Sequence, residues 1–239
     1  MVNSDNSISF YFFDLDDNTF FLETPVFVRN KKTREIKSTS THEFAQIRGM
    51  LGAIEPWKDY ELFDNSYRNF RDRDERGKPE YLVEDIRKAL KTPPDQWQGP
   101  AFDMFNYACD RQRPLAIVTA RGHSRETIKS GISVMVEKNH LSKEPNYLGV
   151  YAVSNEEMRK ELLETVTNSE ERKTITDSHD PTSPLKRVAI RNLVEKALEE
   201  YGSEPEHRFG MSDDDPKNCL LYTSPSPRDL STSRMPSSA

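Results

Sequence analysis

The sequence has little cysteine and no long apolar runs, and each shortage excludes a class of protein. Its two cysteines, Cys109 and Cys219, provide neither a disulfide framework nor the ligand spacing of a zinc site. No stretch approaches the roughly 18 consecutive apolar residues that a membrane span requires. The first ten residues also lack the basic and apolar regions of a signal peptide. We therefore expect a cytoplasmic protein with no membrane partner.

Basic residues are fewer than acidic ones, so the formal net charge of the chain is −6 at pH 7. Non-specific binding to nucleic acid depends on Lys and Arg side chains that neutralise phosphates. General nucleic-acid binding is therefore not expected, whereas a small phosphorylated substrate remains compatible with this charge. With 239 residues, of which 34% are hydrophobic, the chain can form one substantial core and a smaller appendage. The oligomeric state cannot be read from the sequence.

The C-terminal segment changes composition abruptly. Residues 219–239 are rich in Ser, Pro, Thr and Arg and carry almost no apolar periodicity, so they cannot bury a core. They also resemble translated adapter sequence of the kind read through at the ends of assembled sequencing fragments. We interpret 219–239 as a non-native, disordered tail. We expect the natural chain to continue beyond Asn218 with residues not printed here.

Residues 8–13 form an apolar run that ends directly before a cluster of acids. The stretch "FYFFDLDDNTFF", residues 10–21, contains the end of this run and the acids. A solvated turn, a calcium loop and an active site at the carboxyl end of a parallel strand all begin this way. A calcium loop has glycine at its sixth position and glutamate at its twelfth. Counted from Asp14, those positions hold Thr19 and Pro25, so the calcium interpretation fails. The turn and the active site remain.

Strand and helix patterns alternate through the rest of the chain. Strand patterns occur at "PLAIVT", "YLGVYAVS" and "EHRFGMS", and helical periodicity occurs in "PEYLVEDIRKAL", "HSRETIKSGISVMVEKN" and "SPLKRVAIRNLVEKALEEYG". This alternation predicts an α/β fold with a Rossmann-like parallel sheet and helices on both of its faces. The sequence of residues 25–40 predicts two short extended segments separated by a polar turn at 30–33. Ser40 and Glu43 then have the spacing of a helix capping box.

Four short motifs lie at the ends of these elements. They are "DLDDN", "VTARGH", Lys186 near the start of a helix, and "GMSDDDPKN", in that order along the chain. The set resembles the haloacid dehalogenase superfamily of phosphohydrolases, whose pattern is Asp-x-Asp-x-Thr/Val, a strand ending in Ser or Thr, an isolated lysine, and a strand ending in paired acids. Each motif alone is weak, but their order and placement are specific.

This resemblance implies a phosphatase that works through an aspartyl-phosphate intermediate. Asp14 is the implied nucleophile. Asp16, on the same side of an extended chain, is the implied general acid and base. An aspartate at this second position accompanies phosphatases and phosphomutases in the superfamily and is lacking in the dehalogenases. Dehalogenation is therefore disfavoured.

The resemblance also assigns the residues that hold the phosphoryl group. Thr119 is expected to bind its oxygens, together with the backbone N–H groups of Ala120 and Arg121. Lys186 is expected to neutralise both Asp14 and the phosphoryl group. Arg187 and Lys173 are the alternatives for this basic residue.

A magnesium ion is the implied cofactor. Its expected ligands are Asp14, Asp213, Asp214 and the backbone carbonyl of Asp16, because hard oxygen donors suit this ion. The cation is needed because several carboxylates facing a phosphate would otherwise repel it. The acidic run is three residues long, so Asp215 is the alternative to Asp214.

The chain departs from the family pattern at Asn18, where Thr or Val is usual, and we expect an altered support for the loop. The stretch between the first two motifs is also longer than one crossover needs. By resemblance, 24–94 is a small, mostly helical cap insertion, and 1–23 with 95–218 forms the core domain. Remaining functional alternatives are a phosphotransferase or phosphomutase, a nucleotide-directed phosphatase, and a catalytically silent phosphate-binding protein.

Overall fold

The structure is a computed structural model that describes residues 6–178, 180–202 and 206–214. The strands are β1 (Ser7–Phe13), β2 (Val26–Asn30), β3 (Ile36–Thr39), β4 (Tyr60–Glu61), β5 (Pro114–Thr119), β6 (Asn146–Ala152) and β7 (Glu206–Ser212). The helices are α1 (Thr41–Ile47), α2 (Tyr81–Ala89), α3 (Pro94–Trp97), α4 (Phe102–Asp110), α5 (Arg125–Glu137), α6 (Glu156–Thr165), α7 (Ser169–Asp177) and α8 (Thr182–Tyr201), with a 3₁₀ helix at Arg68–Phe70. The tail 219–239 and Asp215 lie outside the described residues. No described helix has the length and apolarity needed to cross a bilayer.

The main sheet is parallel and, among the described residues, has four strands in the order β6-β5-β1-β7. Strand β1 is central and pairs with β5 up to Phe13↔Ile117 and with β7 up to Phe13↔Ser212. All of β5 is buried, which explains why it reads as a continuous apolar run. The predicted α/β fold with a parallel sheet is confirmed, and the carboxyl ends of β1, β5 and β7 meet at one edge.

Each face of this sheet is covered by its own set of helices, because alternate side chains of a strand point to opposite faces. Phe13 and Ile117 pack with apolar side chains of α2, α4 and α5. Phe12 and Val118 pack on the other face with side chains of α6, α7 and α8. Helix α8 thereby lies against the sheet, and its first turns reach the edge where β1 and β7 end.

The part of the chain between β1 and α2 in sequence forms a second, smaller sheet. It is antiparallel, with β3-β2-β4 as its order in the described chain, and Val26 and Val28 pack against Phe44 and Ile47 of α1. The two extended pieces predicted around the polar turn are confirmed, and so is the Ser40 capping box. The predicted mostly helical cap insertion over 24–94 is not confirmed, because the described structure has α1, α2 and a 3₁₀ helix there and also the three strands of this small sheet.

Helix α2 falls inside the predicted insertion 24–94 but packs with the core. Its Leu82 and Ile86 belong to the same apolar cluster as Phe13 and Ile117. Helix α5 comes close to it at Gly131, where an added Cβ would lie 2.8 Å from Ile86 Cδ1. The apolar cluster of the small sheet is separate from this one, and its members lie within 26–70. We call residues 26–72 the insert.

Candidate active site

Two acidic side chains meet at the carboxyl edge of the main sheet. Asp14 directly follows β1, and its backbone N–H donates to Ser212 O at 3.0 Å. Asp213 follows Ser212, the last residue of β7. The register Phe13↔Ser212 thus places Asp14 and Asp213 next to each other. Both are buried, because helix α8 covers this end of the two strands.

Lys186 of α8 bridges these two carboxylates. Its Nζ donates to Asp14 Oδ2 at 2.6 Å and to Asp213 Oδ2 at 2.9 Å. Side-chain exposure is 3% for Lys186, 7% for Asp14 and 0% for Asp213, so water screens neither ion pair. The alternatives Arg187 and Lys173 are both exposed. Among the three basic candidates, Lys186 is the one that contacts Asp14.

Burial and the neighbouring charges shift the pKa values of this cluster in opposite directions. Burial raises the pKa of Asp14 to about 7, with Lys186 acting to lower it and Asp213 to raise it further. Burial acts to lower the pKa of Lys186, but the two carboxylates outweigh it and hold that pKa above its ordinary value. Lys186 is therefore charged at neutral pH. Asp14 needs additional positive charge nearby to be fully ionised.

A third carboxylate, from Asp214, completes a group that could hold a metal ion. Asp14, Asp213 and Asp214 each offer one oxygen, and these oxygens lie within 4.8 Å of one another. Three carboxylates and the single ammonium of Lys186 leave a formal surplus of two negative charges. Burial raises the pKa of Asp214, and the charge of Asp213 adds to that effect. An all-oxygen donor set with this surplus fits a hard divalent cation such as Mg²⁺.

Asn18 fixes the loop that carries these acids. Its Nδ2 donates to Asp14 O at 3.2 Å and to Ser212 O at 2.9 Å, and its Oδ1 accepts from Ser212 Oγ at 2.8 Å. One side chain therefore joins the ends of β1 and β7. Thr or Val could not make all three bonds, because neither has both a side-chain amide donor and a carbonyl acceptor. These three hydrogen bonds are the altered loop support that was expected from an asparagine at this position.

The side chain of Asp16 points into a different set of contacts. Arg121 Nε donates to Asp16 Oδ2 at 2.8 Å, and Arg121 Nη2 donates to Asp16 Oδ1 at 2.6 Å. This is the two-pronged geometry that makes an arginine and carboxylate pair strong. The Asp16 carboxylate is not a member of the three-carboxylate group described above.

The predicted phosphate-binding residues lie at the end of β5. Thr119 is its last residue and is buried, whereas Ala120 is exposed. The pairing Phe13↔Ile117 places Thr119 at the same sheet edge as Asp14. The N–H of Arg121 donates to Thr119 Oγ1 at 3.3 Å, so this amide already has a partner. The prominent feature here is the guanidinium of Arg121, a residue expected to contribute only its backbone N–H.

Comparisons with known proteins add nothing to this geometry. A scan against protein-family models, a search of curated proteins and a search of solved structures each found no match.

Proposed function

We propose that this chain is a magnesium-dependent phosphohydrolase that cleaves a phosphate monoester through an aspartyl-phosphate on Asp14. The observation that carries the proposal is the contact of Lys186 with Asp14 and Asp213 beside Asp214. The four motifs that resemble the haloacid dehalogenase superfamily are far apart in sequence. Residues from three of them lie in one buried ion cluster, and the fourth contributes Thr119 at the same sheet edge.

The reaction follows from the chemistry of these side chains. A carboxylate oxygen of Asp14 forms a bond to phosphorus, and the bond from phosphorus to the leaving oxygen breaks with its electron pair. Asp16 donates a proton to that leaving oxygen. Water then attacks phosphorus, Asp16 accepts its proton, and the bond between phosphorus and Asp14 breaks. Phosphate and the original Asp14 carboxylate are regenerated.

Two groups allow an anionic ester to approach an anionic nucleophile. Lys186 donates to Asp14 and keeps a fixed positive charge in a region from which water is excluded. Asp14, Asp213 and Asp214 would hold the ion, with the Asp16 carbonyl as the further ligand that the resemblance implies. A magnesium ion bound there supplies charge neutralisation for the phosphoryl oxygens. Thr119 adds a hydroxyl donor at the same sheet edge.

The insert has the position of a cap in this proposal. Thr41 Oγ1 donates to Asp17 in the β1 loop at 3.3 Å. Arg48 pairs with Asp180 just before α8 at 3.3 Å. The insert therefore contacts the loop of the nucleophile and the start of the helix that carries Lys186. We assign it the role of restricting access to Asp14 and selecting the leaving group.

Phosphate release is the direct test of this function. The full-length chain is assayed with an activated aryl phosphate in magnesium, in chelator, and as Asp14→Asn. We expect release that requires magnesium and is abolished by Asp14→Asn. With phenyl phosphate, whose leaving oxygen needs protonation, Asp16→Asn should reduce release by about 10²–10⁴-fold.

Asp110→Asn is the matched control, because Asp110 is an exposed acid at the last residue of α4, close in sequence to the start of β5 and not to its carboxyl end. It should leave release unchanged. Folded protein that releases no phosphate, or that does so equally well as Asp14→Asn, contradicts the proposal. Transfer of the phosphoryl group to an added acceptor in place of release would indicate the phosphotransferase alternative.

A further inference from the structure

Arg121 is a buried cation that joins three segments of the chain. It is 1% exposed, and besides its two bonds to Asp16 its Nη2 donates to Thr24 Oγ1 at 2.8 Å. Its Cζ lies 4.8 Å from the ring centroid of Phe70. The guanidinium therefore contacts the β1 loop, the residue that leads into the insert, and the 3₁₀ helix of the insert. Its Nη1 has no hydrogen-bond partner among the described residues.

The backbone on either side of Arg121 also binds the insert. Gly122 N donates to Phe70 O at 2.7 Å, and Ser124 N donates to Asp72 Oδ2 at 3.0 Å. A parallel bridge pairs Arg71 with Gly122. Residues 70–72 thus lie along the loop after β5 and cover the Arg121 side chain.

Thr24 is oriented so that its hydroxyl oxygen can accept a hydrogen bond from Arg121. Its hydroxyl donates to Asp85 Oδ2 of α2 at 2.6 Å, which leaves its oxygen lone pairs for Arg121 Nη2. The chain of contacts from Asp85 through Thr24 and Arg121 reaches Asp16. The core helix α2 therefore fixes one side of the guanidinium, and the insert fixes the other through Phe70.

Because of these contacts, the ion pair between Arg121 and Asp16 depends on the docking of the insert. A buried ion pair is strong only while low-dielectric groups surround it, and the same pair in water contributes little. If residues 70–72 move away from Gly122, water reaches Arg121 and weakens its bonds to Asp16. A guanidinium without that cover also loses the flat ring of Phe70 as a cation–π partner.

We infer that Arg121 is a positioning residue that couples docking of insert residues 70–72 to the placement of the Asp16 carboxylate. The consequence for catalysis rests on the proposed function, in which Asp16 protonates the leaving oxygen. The coupling between the insert and Asp16 does not rest on it. With the insert docked, the fork of Arg121 keeps Asp16 in one orientation, and with the insert away Asp16 is free to turn.

The catalytic test uses leaving groups of different basicity. An activated dinitrophenyl phosphate needs little protonation on departure, whereas phenyl phosphate needs much. We expect Arg121→Met to slow the release of phenol in a single turnover with excess enzyme by about 10²-fold or more, and the release of dinitrophenol by less than about 5-fold. The comparison uses this first step because the later hydrolysis of the intermediate, in which Asp16 acts as base, is common to both esters. Arg121→Lys keeps the charge but not the fork, so its loss should be intermediate.

A second variant approaches the coupling from the insert. Phe70→Leu leaves Arg121 and Asp16 intact but removes the ring beside the guanidinium, and it should show the same selectivity for leaving group in weaker form. Arg111→Met, at an exposed arginine near the end of α4, is the control and should leave both esters unaffected. Equal losses on both esters in Arg121→Met or Phe70→Leu would overturn the positioning role.

Hydrogen exchange supplies a readout that does not need activity. The amide of Gly122 reports docking of the insert, because its acceptor is Phe70 O. We expect Arg121→Met to speed exchange at Gly122 by about 10-fold or more relative to Arg111→Met, while amides of β5 stay protected. Unchanged exchange at Gly122 in folded Arg121→Met refutes the coupling. Faster exchange in a protein that hydrolyses neither ester supports the coupling and contradicts the proposed function.

Discussion

Lys186 gives a prediction whose magnitude follows from the structure. Its ammonium is the positive charge that holds two buried carboxylates together, at 2.6 Å from Asp14 and 2.9 Å from Asp213. Lys186→Met keeps much of the apolar stem and removes the charge. Breaking a buried ion pair by removal of one partner costs about 3–5 kcal/mol, because the remaining charge is left uncompensated. We expect the free energy of unfolding to fall by that amount in metal-free buffer.

Magnesium should reverse part of this loss. Without the ammonium, the three-carboxylate group carries one more uncompensated negative charge, so it should bind a divalent cation more tightly than the wild-type group. A ligand at 100 times its Kd stabilises the folded state by about 2.7 kcal/mol. We therefore expect added magnesium to narrow the gap between Lys186→Met and wild type by about 1–3 kcal/mol.

Urea unfolding followed by circular dichroism, with and without magnesium, measures both effects. Arg187→Met is the matched control, since it removes an exposed charge from the neighbouring position of the same helix and should change stability by less than about 0.5 kcal/mol. The reasoning is refuted if Lys186→Met is no less stable than Arg187→Met. It is also refuted if magnesium stabilises both variants equally.

Two further predictions test the loop support and the buried thiol. Gly99→Ala would place a Cβ 2.2 Å from Asn18 O, so urea unfolding should show a loss of about 1–3 kcal/mol or more, whereas Gly49→Ala, which meets nothing within 4 Å, should change little. Cys109 is fully buried, and burial with the nearby Glu144 raises its pKa to about 12. In a Cys219→Ser background, iodoacetamide at mildly alkaline pH should alkylate Cys109 about 10³-fold more slowly than a free thiol until denaturant is added, as followed by mass spectrometry. Equal stability of the two glycine variants, or rapid labelling of folded protein, would contradict these expectations.

The ion cluster could be anticipated because parallel strands present their carboxyl ends at one sheet edge. Asp14 follows a buried apolar strand and Asp213 follows a more exposed one, so their meeting required little beyond recognising two parallel strands and their order. The resemblance favoured Lys186 as the basic residue, but the sequence by itself did not exclude Arg187. Both are basic residues in the first turns of one helix, and only the packing of α8 on the sheet decides which one faces the carboxylates.

The contacts of Arg121 could not be read from the sequence. Its bonds to Asp16 join residues separated by 105 positions, and no local pattern marks an arginine that will be buried. The packing of α2 could not be read from the sequence for a related reason. Its apolar face is visible in the periodicity, but only the partner helix α5, with Gly131 at the close approach, shows that this face belongs to the core. Helix α7 escaped prediction because only Ile175 in it is buried.

Trapping the covalent intermediate shows directly whether Asp14 is the nucleophile. The full-length chain is mixed with an activated aryl phosphate and magnesium, quenched in acid within the first turnover, and reduced with borohydride, which converts an aspartyl-phosphate to homoserine. Peptide mass spectrometry then locates the modified residue. We expect homoserine at position 14, with none when magnesium is omitted. Phosphate release without any modification at Asp14, or modification at Asp16 instead, would contradict it.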